Sequence, residues 1–90
     1  MDEPRLWFRV HAIQRMHERR ISEIDVREVL ENGDVIEDDG DSQLRLGFCD
    51  GRPIHVASSE MTGANVTVII TVYEPNLDHW ELGFRTRRLR

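Results

Sequence analysis

The chain has 90 residues, a formal net charge of −5 and 32% charged residues. A chain of this length forms one domain, residues 1–90, and buries only roughly 60–65% of the surface of its unfolded state. It has no apolar run close to the ~18–20 residues that span a membrane, and its one cysteine excludes a disulfide framework. The start, Met1-Asp2-Glu3-Pro4, has no signal-peptide pattern. We therefore expect a cytoplasmic protein without a membrane partner.

Charge is unevenly distributed along the chain. Five acidic residues lie within residues 34–41, and four arginines lie within residues 85–90. A negative net charge does not favour nucleic acid as a partner. The local field governs phosphate binding, however, so a basic groove remains compatible with this composition. Residues 81–90 are predicted to form a basic, partly ordered tail.

The first predicted elements are a short strand and two helices. Leu6 and Phe8 alternate with their neighbours as in a strand. Apolar spacing then predicts a helix over Val10–Arg19. Ser22 and Asp25 have the spacing of a capping box, which begins the second helix, and residues 32–33 are predicted to end it in the left-handed conformation.

Three strands are predicted after an acidic loop. Residues 43–49, 52–59 and 66–73 each alternate between apolar and polar side chains. Such alternation is typical of a sheet that is packed on one side and open on the other. The polar, open face then carries Arg45, Cys49, His55, Thr67, Thr71 and Tyr73. The predicted fold is α+β in the order β-α-α-β-β-β, with the two N-terminal helices on one face of a small, mainly antiparallel sheet.

The first hairpin has two candidate loops. A two-residue Asp50-Gly51 loop would set Leu46 beside His55 and mix the two faces. A three-residue loop, Cys49-Asp50-Gly51, keeps the faces separate and sets Arg45 opposite His55. The three-residue loop is therefore predicted.

His55 and Tyr73 are the candidate catalytic residues of the predicted open face, with Arg45 beside them. Histidine is the usual proton carrier near neutral pH, and a tyrosine hydroxyl can orient a ribose. The alternative is structural: a histidine whose hydrogen bonds are made within the protein, and a tyrosine at the rim of the face under the C-terminal tail.

The first helix carries a second candidate group. His11, Arg15 and Arg19 are spaced by four residues and form a stripe along one flank. Arginine suits phosphate because its planar guanidinium binds two oxygens at once. The alternative is a solvated helix flank, with the arginines paired to Glu18 or Glu23.

No metal or other cofactor is expected. The four histidines and Cys49 lack any close pair with ligand spacing, and the acidic loop lacks the calcium-loop pattern. Cys49 has no obvious base beside it in the sequence, which indicates an incidental cysteine and not a nucleophile.

Several short segments form a distinctive combination: His11-Ala12-x-x-Arg15-Met16-x-x-Arg19-x-Ile21-Ser22, Val29-Leu30-Glu31-Asn32-Gly33, Asp50-Gly51-Arg52-Pro53-x-His55-Val56, Thr71-Val72-Tyr73-Glu74-Pro75, Trp80 and Phe84-Arg85-x-Arg87-Arg88. Together they resemble a small bacterial family, the domain of unknown function 4258, over about residues 11–88. Two positions depart from the family pattern. Arg20 stands where the family often has glycine, and Asn76-Leu77 stands where Asp-Pro is common.

The resemblance implies a divergent member of the RelE/ParE/MqsR toxin superfamily with a RelE/MqsR-like fold. It implies an RNA-cleaving toxin, and as a partner an antitoxin with a zinc-finger N-terminus of the MqsA type. The expected reaction needs no metal, because the ribose 2′-oxygen attacks the adjacent phosphorus. His11 and His55 are the predicted proton carriers, and Tyr73 would orient the ribose. The predicted phosphate ligands are Arg15, Arg19 and Arg45.

A non-catalytic binding module is the alternative function. The same open face would then bind a protein, and the acidic residues 34–41 could dock a basic segment of that partner.

Overall fold

In the part of the chain that the structure describes, two helices and five strands form the fold, in the order β1-α1-α2-β2-β3-β4-β5. The computed structural model describes residues 3–89. The strands are β1 (Arg5–Phe8), β2 (Asp34–Asp38), β3 (Gln43–Cys49), β4 (Arg52–Met61) and β5 (Val66–Tyr73), and the helices are α1 (Val10–Arg19) and α2 (Glu23–Asn32). The predicted α+β class is confirmed, with one more strand than the sequence indicated. No helix within residues 3–89 is long and apolar enough to cross a membrane.

The five strands make one mixed sheet in the order β1-β5-β4-β3-β2. Only the β1–β5 pair is parallel, so the sheet is mainly antiparallel, as predicted. The additional strand is β2, in the segment for which the sequence predicts an acidic loop. It pairs with β3 along an outer edge of the sheet. Charged residues are suited to an edge strand, because they discourage pairing with another chain.

Local signals set the ends of the helices. Ser22 and Asp25 form the predicted capping box, with hydrogen bonds of 3.0 and 3.1 Å. α1 ends at Arg20, which adopts the left-handed conformation with φ +55°. The left-handed end predicted for α2 is wrong, because Gly33 has φ −76°. Glycine is needed there for space, since a Cβ would lie 2.5 Å from the Val29 carbonyl oxygen.

The predicted loop of the first hairpin is also wrong. Cys49 pairs with Arg52, so the loop contains only Asp50 and Gly51. Their φ angles of +54° and +77° are those of a type I′ turn, which aspartate and glycine favour. The register therefore shifts by one residue: Leu46 lies opposite His55, and Arg45 lies opposite Val56 rather than His55.

This register gives the sheet two packed faces. One face meets the helices, and its core includes Val26, Val29, Ile54, Val56 and Val72. The other face contains Leu44 and Leu46, both buried, together with His55. A bulge in β5 near residue 70 lets both Ile69 and Val72 face the helices. The predicted division into one apolar and one polar face is therefore wrong.

Candidate functional site

His55 lies in the interior, beneath residues 75–89, which we name the C-terminal strap. Its side chain is completely buried. The Trp80 ring packs edge-on against the imidazole with centroids 4.4 Å apart, and the Phe84 carbonyl oxygen lies 2.8 Å from Nε2. The strap therefore covers the face that the sequence analysis expected to be open.

The hydrogen bonds of His55 determine its tautomer. A carbonyl oxygen can only accept, so Nε2 carries the proton and donates it to Phe84. Nδ1, 3.1 Å from the Tyr73 hydroxyl oxygen, is then the acceptor of the tyrosine proton. Burial lowers the pKa of His55, while the bond to Phe84 and the charge of Glu37 oppose that shift. The imidazole is therefore neutral, with both nitrogens satisfied.

Ion pairs and one aromatic ring hold the strap on the sheet. Trp80 is almost fully buried, and the Arg87 guanidinium lies 4.7 Å from its ring centroid. Arg87 donates to both carboxylate oxygens of Glu37, at 2.8 and 3.0 Å, and this bond raises the pKa of Arg87. Arg85 donates to Asp34 at 2.8 Å. Both carboxylates belong to β2, so the strap reaches the acidic edge of the sheet.

Tyr73 lines a cleft of about 390 Å³ beside the strap. Three carboxylates, Glu37, Asp38 and Asp39, line the cleft against one guanidinium, that of Arg87. The pKa values of Asp38 and Asp39 are lowered by hydrogen bonds, so both stay charged at neutral pH. A cleft with this excess of negative charge repels phosphate, which argues against RNA binding at Tyr73.

The predicted site residues do not form one hollow. His55 and Tyr73 do meet, on the strap side of the sheet. His11, Arg15 and Arg19 lie exposed on α1, which packs against β5 from the other side through buried Ala12. Arg45 also belongs to the helix side, where it donates to the Ser58 hydroxyl at 3.2 Å.

The arginines divide into two groups. Each described arginine after residue 20 has a protein partner: Arg27, Arg45, Arg52, Arg85, Arg87 and Arg88. Before that point, Arg15 lies 3.7 Å from Glu18. The other four are exposed, and their side chains make no hydrogen bond or ion pair with any described residue: Arg5, Arg9, Arg19 and Arg20. We name these four the N-terminal arginine group.

Only one member of that group, Arg19, is predicted as a site residue from the sequence. The available signal was local composition, since residues 5–20 contain five arginines and a single carboxylate, Glu18. The absence of side-chain partners could not be predicted, because it depends on where the carboxylates lie in the folded chain.

Metal and thiol chemistry have little support in residues 3–89. No three histidine, cysteine, aspartate or glutamate side chains in that range are grouped to hold a metal ion. Cys49 is buried, and its Sγ lies 3.7 Å from the Asp25 carbonyl oxygen. Burial, reinforced by nearby carboxylates, raises the pKa of this thiol, which makes it a poor nucleophile.

Comparison with known proteins identifies a family. No curated protein and no solved structure matches the chain. One family model, described as Domain of unknown function (DUF4258), matches residues 8–74, which is 67 of the 90 residues. The match includes both helices, β2–β5 and the His55–Tyr73 pair, and it ends before the C-terminal strap. The chain belongs to the DUF4258 family.

Proposed function

We propose that this protein binds RNA as the toxin of a bacterial toxin–antitoxin pair, with a RelE/ParE/MqsR-like fold. The observation that carries the proposal is the N-terminal arginine group, whose four guanidinium groups have no partner among the described residues. The toxin assignment comes from the resemblance of the sequence motifs to that superfamily, and the two helices on one face of a mainly antiparallel sheet are compatible with it.

The free arginines do not result from a shortage of carboxylates. The chain has 17 acidic residues and 12 basic ones, all of them arginine. Other arginines of the chain do pair with carboxylates, as at Arg27, Arg85 and Arg87. An exposed, unpaired guanidinium group is suited to phosphate, which it can bind through two parallel hydrogen bonds.

Cleavage at this surface would depend on His11. Of the three predicted catalytic residues, only His11 lies on α1, one turn before Arg15 and two turns before Arg19. As a base it would take the proton of the ribose 2′-hydroxyl while the 2′-oxygen bonds to phosphorus. The bond from phosphorus to the 5′-oxygen then breaks, and that oxygen takes a proton from water. His55 has a structural role in this account, because its lone pair and its proton are both engaged.

Binding is tested with matched pairs of substitutions. Arg9→Gln combined with Arg19→Gln removes two unpaired charges, and Arg85→Gln combined with Arg88→Gln removes two paired charges. Both double variants change the net charge equally. With a single-stranded 20-nucleotide RNA, we expect the first variant to bind more weakly than the second. Equal losses would contradict the proposal, because general charge would then explain the binding.

Cleavage and toxicity are tested with histidine variants. We expect His11→Gln to abolish both RNA cleavage and growth arrest on induced expression. His17→Gln is the control, since His17 is exposed on the same helix but six residues away and so on another side. Cleavage that persists in His11→Gln would remove His11 from the reaction and leave the binding proposal standing.

A non-catalytic protein-binding module is the second candidate. The observation that favours it is the position of residues 34–41, which form the edge strand β2 and the loop after it, with five carboxylates. An edge strand can accept a further strand from a partner, and a basic partner would match its charge. Stable capture of one basic protein, without RNA binding or growth arrest, would favour this candidate.

A further inference from the structure

The edge strand β1 exposes a tryptophan between two arginines. Leu6 and Phe8 pack against the core beneath the helices. Arg5, Trp7 and Arg9 alternate with them and are exposed, and Trp7 retains 61% of its accessible surface. A tryptophan this exposed is uncommon, because the indole has a large apolar surface.

The backbone fixes how these three side chains are arranged. The Arg5 amide donates to the carbonyl oxygen of the residue before β5, and the Arg9 amide donates to a carbonyl oxygen within β5, both at 3.0 Å. The hydrogen bonds between β1 and β5 therefore extend across both ends of β1. Alternate residues of a strand share one face and lie roughly 6.6 Å apart. Trp7 pairs with Val68 in register, and so lies on the face opposite the helices. The result is a row of guanidinium, indole and guanidinium at one edge of the sheet.

We propose that Trp7 stacks on a base of single-stranded RNA while Arg5 and Arg9 bind the phosphates on either side. The proposal rests on the RNA binding proposed above and assigns it a ligand class and a contact residue. An aromatic ring flanked by cations matches a nucleotide, which has a flat base and a charged phosphate. Bases in a duplex are already stacked on each other, so the ring discriminates in favour of single strands.

Charge distinguishes this surface from an ordinary apolar docking patch. Arg5 and Arg9 have no partner among the described residues, so an occupant that brings negative charge is favoured. An acidic peptide would satisfy the arginines, but its carboxylate side chains are not flat rings that could stack on Trp7. RNA provides both the negative charge and the flat ring. The experiment therefore has to distinguish RNA from an acidic peptide.

The test compares four variants on two nucleic-acid probes, and one of the four combines Arg5→Gln with Arg9→Gln. The probes are a fluorescein-labelled 12-nucleotide oligouridylate and the same strand in a duplex with oligoadenylate. We expect Trp7→Ala to weaken binding of the single strand by about 5- to 150-fold, since base stacking has that worth. Trp7→Phe should retain most of the affinity. Ile13→Ala is the control, because Ile13 is a similarly exposed apolar residue on α1.

Tryptophan fluorescence provides an independent readout. Trp80 is buried under the strap, so stacking on Trp7 should quench only part of the emission of the wild-type protein. That quenching should disappear in Trp7→Ala. Duplex binding should change less than binding of the single strand, because only the phosphate contacts are then used.

The outcomes separate this inference from the function it rests on. If Trp7→Ala binds the single strand normally while Arg5→Gln with Arg9→Gln weakens it, stacking is overturned and RNA binding stands. If none of these variants weakens binding, both proposals fail. If polyglutamate binds as tightly as oligouridylate and is equally sensitive to Trp7→Ala, the ligand is an acidic polypeptide and the inference is overturned.

Discussion

At the residue scale, burial decides what His55 can do. The same imidazole on an open sheet would be a natural proton carrier, but here it is sealed between Trp80, Tyr73 and the Phe84 carbonyl. A buried imidazolium is costly, and a neutral ring with two satisfied nitrogens is a stable part of the core. Packing alone therefore accounts for the position of His55 in the fold.

The burial of His55 predicts how stability depends on pH. Its pKa in the folded protein lies below the ordinary 6.5, mainly because of burial. Below about pH 6.5 the unfolded chain therefore binds more protons than the folded one, and the free energy of unfolding falls as the pH falls. We expect His55 to contribute up to about 1.4 kcal/mol per pH unit to the slope of the free energy of unfolding against pH.

Urea unfolding between pH 7.5 and pH 5.5 measures this effect. His55→Gln should show a shallower dependence on pH than the wild-type protein, whatever its absolute stability. His17→Gln, which replaces an exposed histidine, should keep the wild-type dependence. An unchanged slope in His55→Gln would mean that His55 is accessible and protonates in the folded state.

Substitution of Arg20 is expected to change stability and RNA binding in opposite directions. Its φ of +55° is unfavourable for any residue with a Cβ, and glycine adopts it freely. We expect Arg20→Gly to raise the free energy of unfolding by about 1 kcal/mol, because the left-handed strain is relieved. The same change removes one member of the N-terminal arginine group, so RNA binding should weaken. A variant that loses stability would show that the arginine side chain supports the fold.

At the element scale, the sequence predicted what local chemistry determines. α1 follows from apolar spacing and α2 from its capping box and apolar spacing, and their bounds agree with the structure. The register of β3 and β4 was harder, because both loop lengths were compatible with the glycine at position 51. The requirement that polar and apolar faces stay separate favoured the three-residue loop, which is the wrong one. That criterion failed because the strap buries the second face as well, so Leu46 and His55 can share it.

The strap itself could not be read from sequence. Residues 75–89 have no periodic pattern, and their contacts with Asp34 and Glu37 span about fifty residues of chain. The acidic residues of β2 were interpreted as a loop for the same reason. The arginines that pair with these acidic residues lie on the strap, about fifty residues later in the chain.

Burial, more than ion pairing, is expected to hold the strap. Trp80 is 3% exposed, so Trp80→Ala should cost about 3–5 kcal/mol of stability. Arg87 and Glu37 are both partly solvated, so Arg87→Gln should cost about 1 kcal/mol or less. Thermal unfolding of the two variants gives the comparison. A larger loss in Arg87→Gln than in Trp80→Ala would contradict this order.

At the scale of the whole molecule, charge is separated across the sheet. Residues 5–20 carry a formal charge of +4, from five arginines and one glutamate, so the rest of the chain carries −9. The strand order places β1 at one edge and the acidic β2 at the other. A negatively charged ligand is therefore attracted to the β1 edge and repelled from the β2 edge. The net charge of −5 conceals this arrangement.

The candidate site was predictable only in part, because it too depends on which residues the fold brings together. The stripe on α1 follows from helical spacing, but its separation from His55 and Tyr73 depends on which side of the sheet α1 packs. Arg5, Arg9 and Trp7 showed no motif in the sequence. Their significance comes from exposure and from the absence of side-chain partners among the described residues.

The salt dependence of RNA affinity tests the central claim most directly. A single-stranded RNA loses affinity with rising salt at a logarithmic slope of about −0.7 per phosphate contact. Replacing all four members of the N-terminal arginine group by glutamine should therefore reduce the magnitude of the slope by about 2.8, while Arg85→Gln with Arg88→Gln should leave it nearly unchanged. A quadruple variant with the wild-type slope would contradict the account.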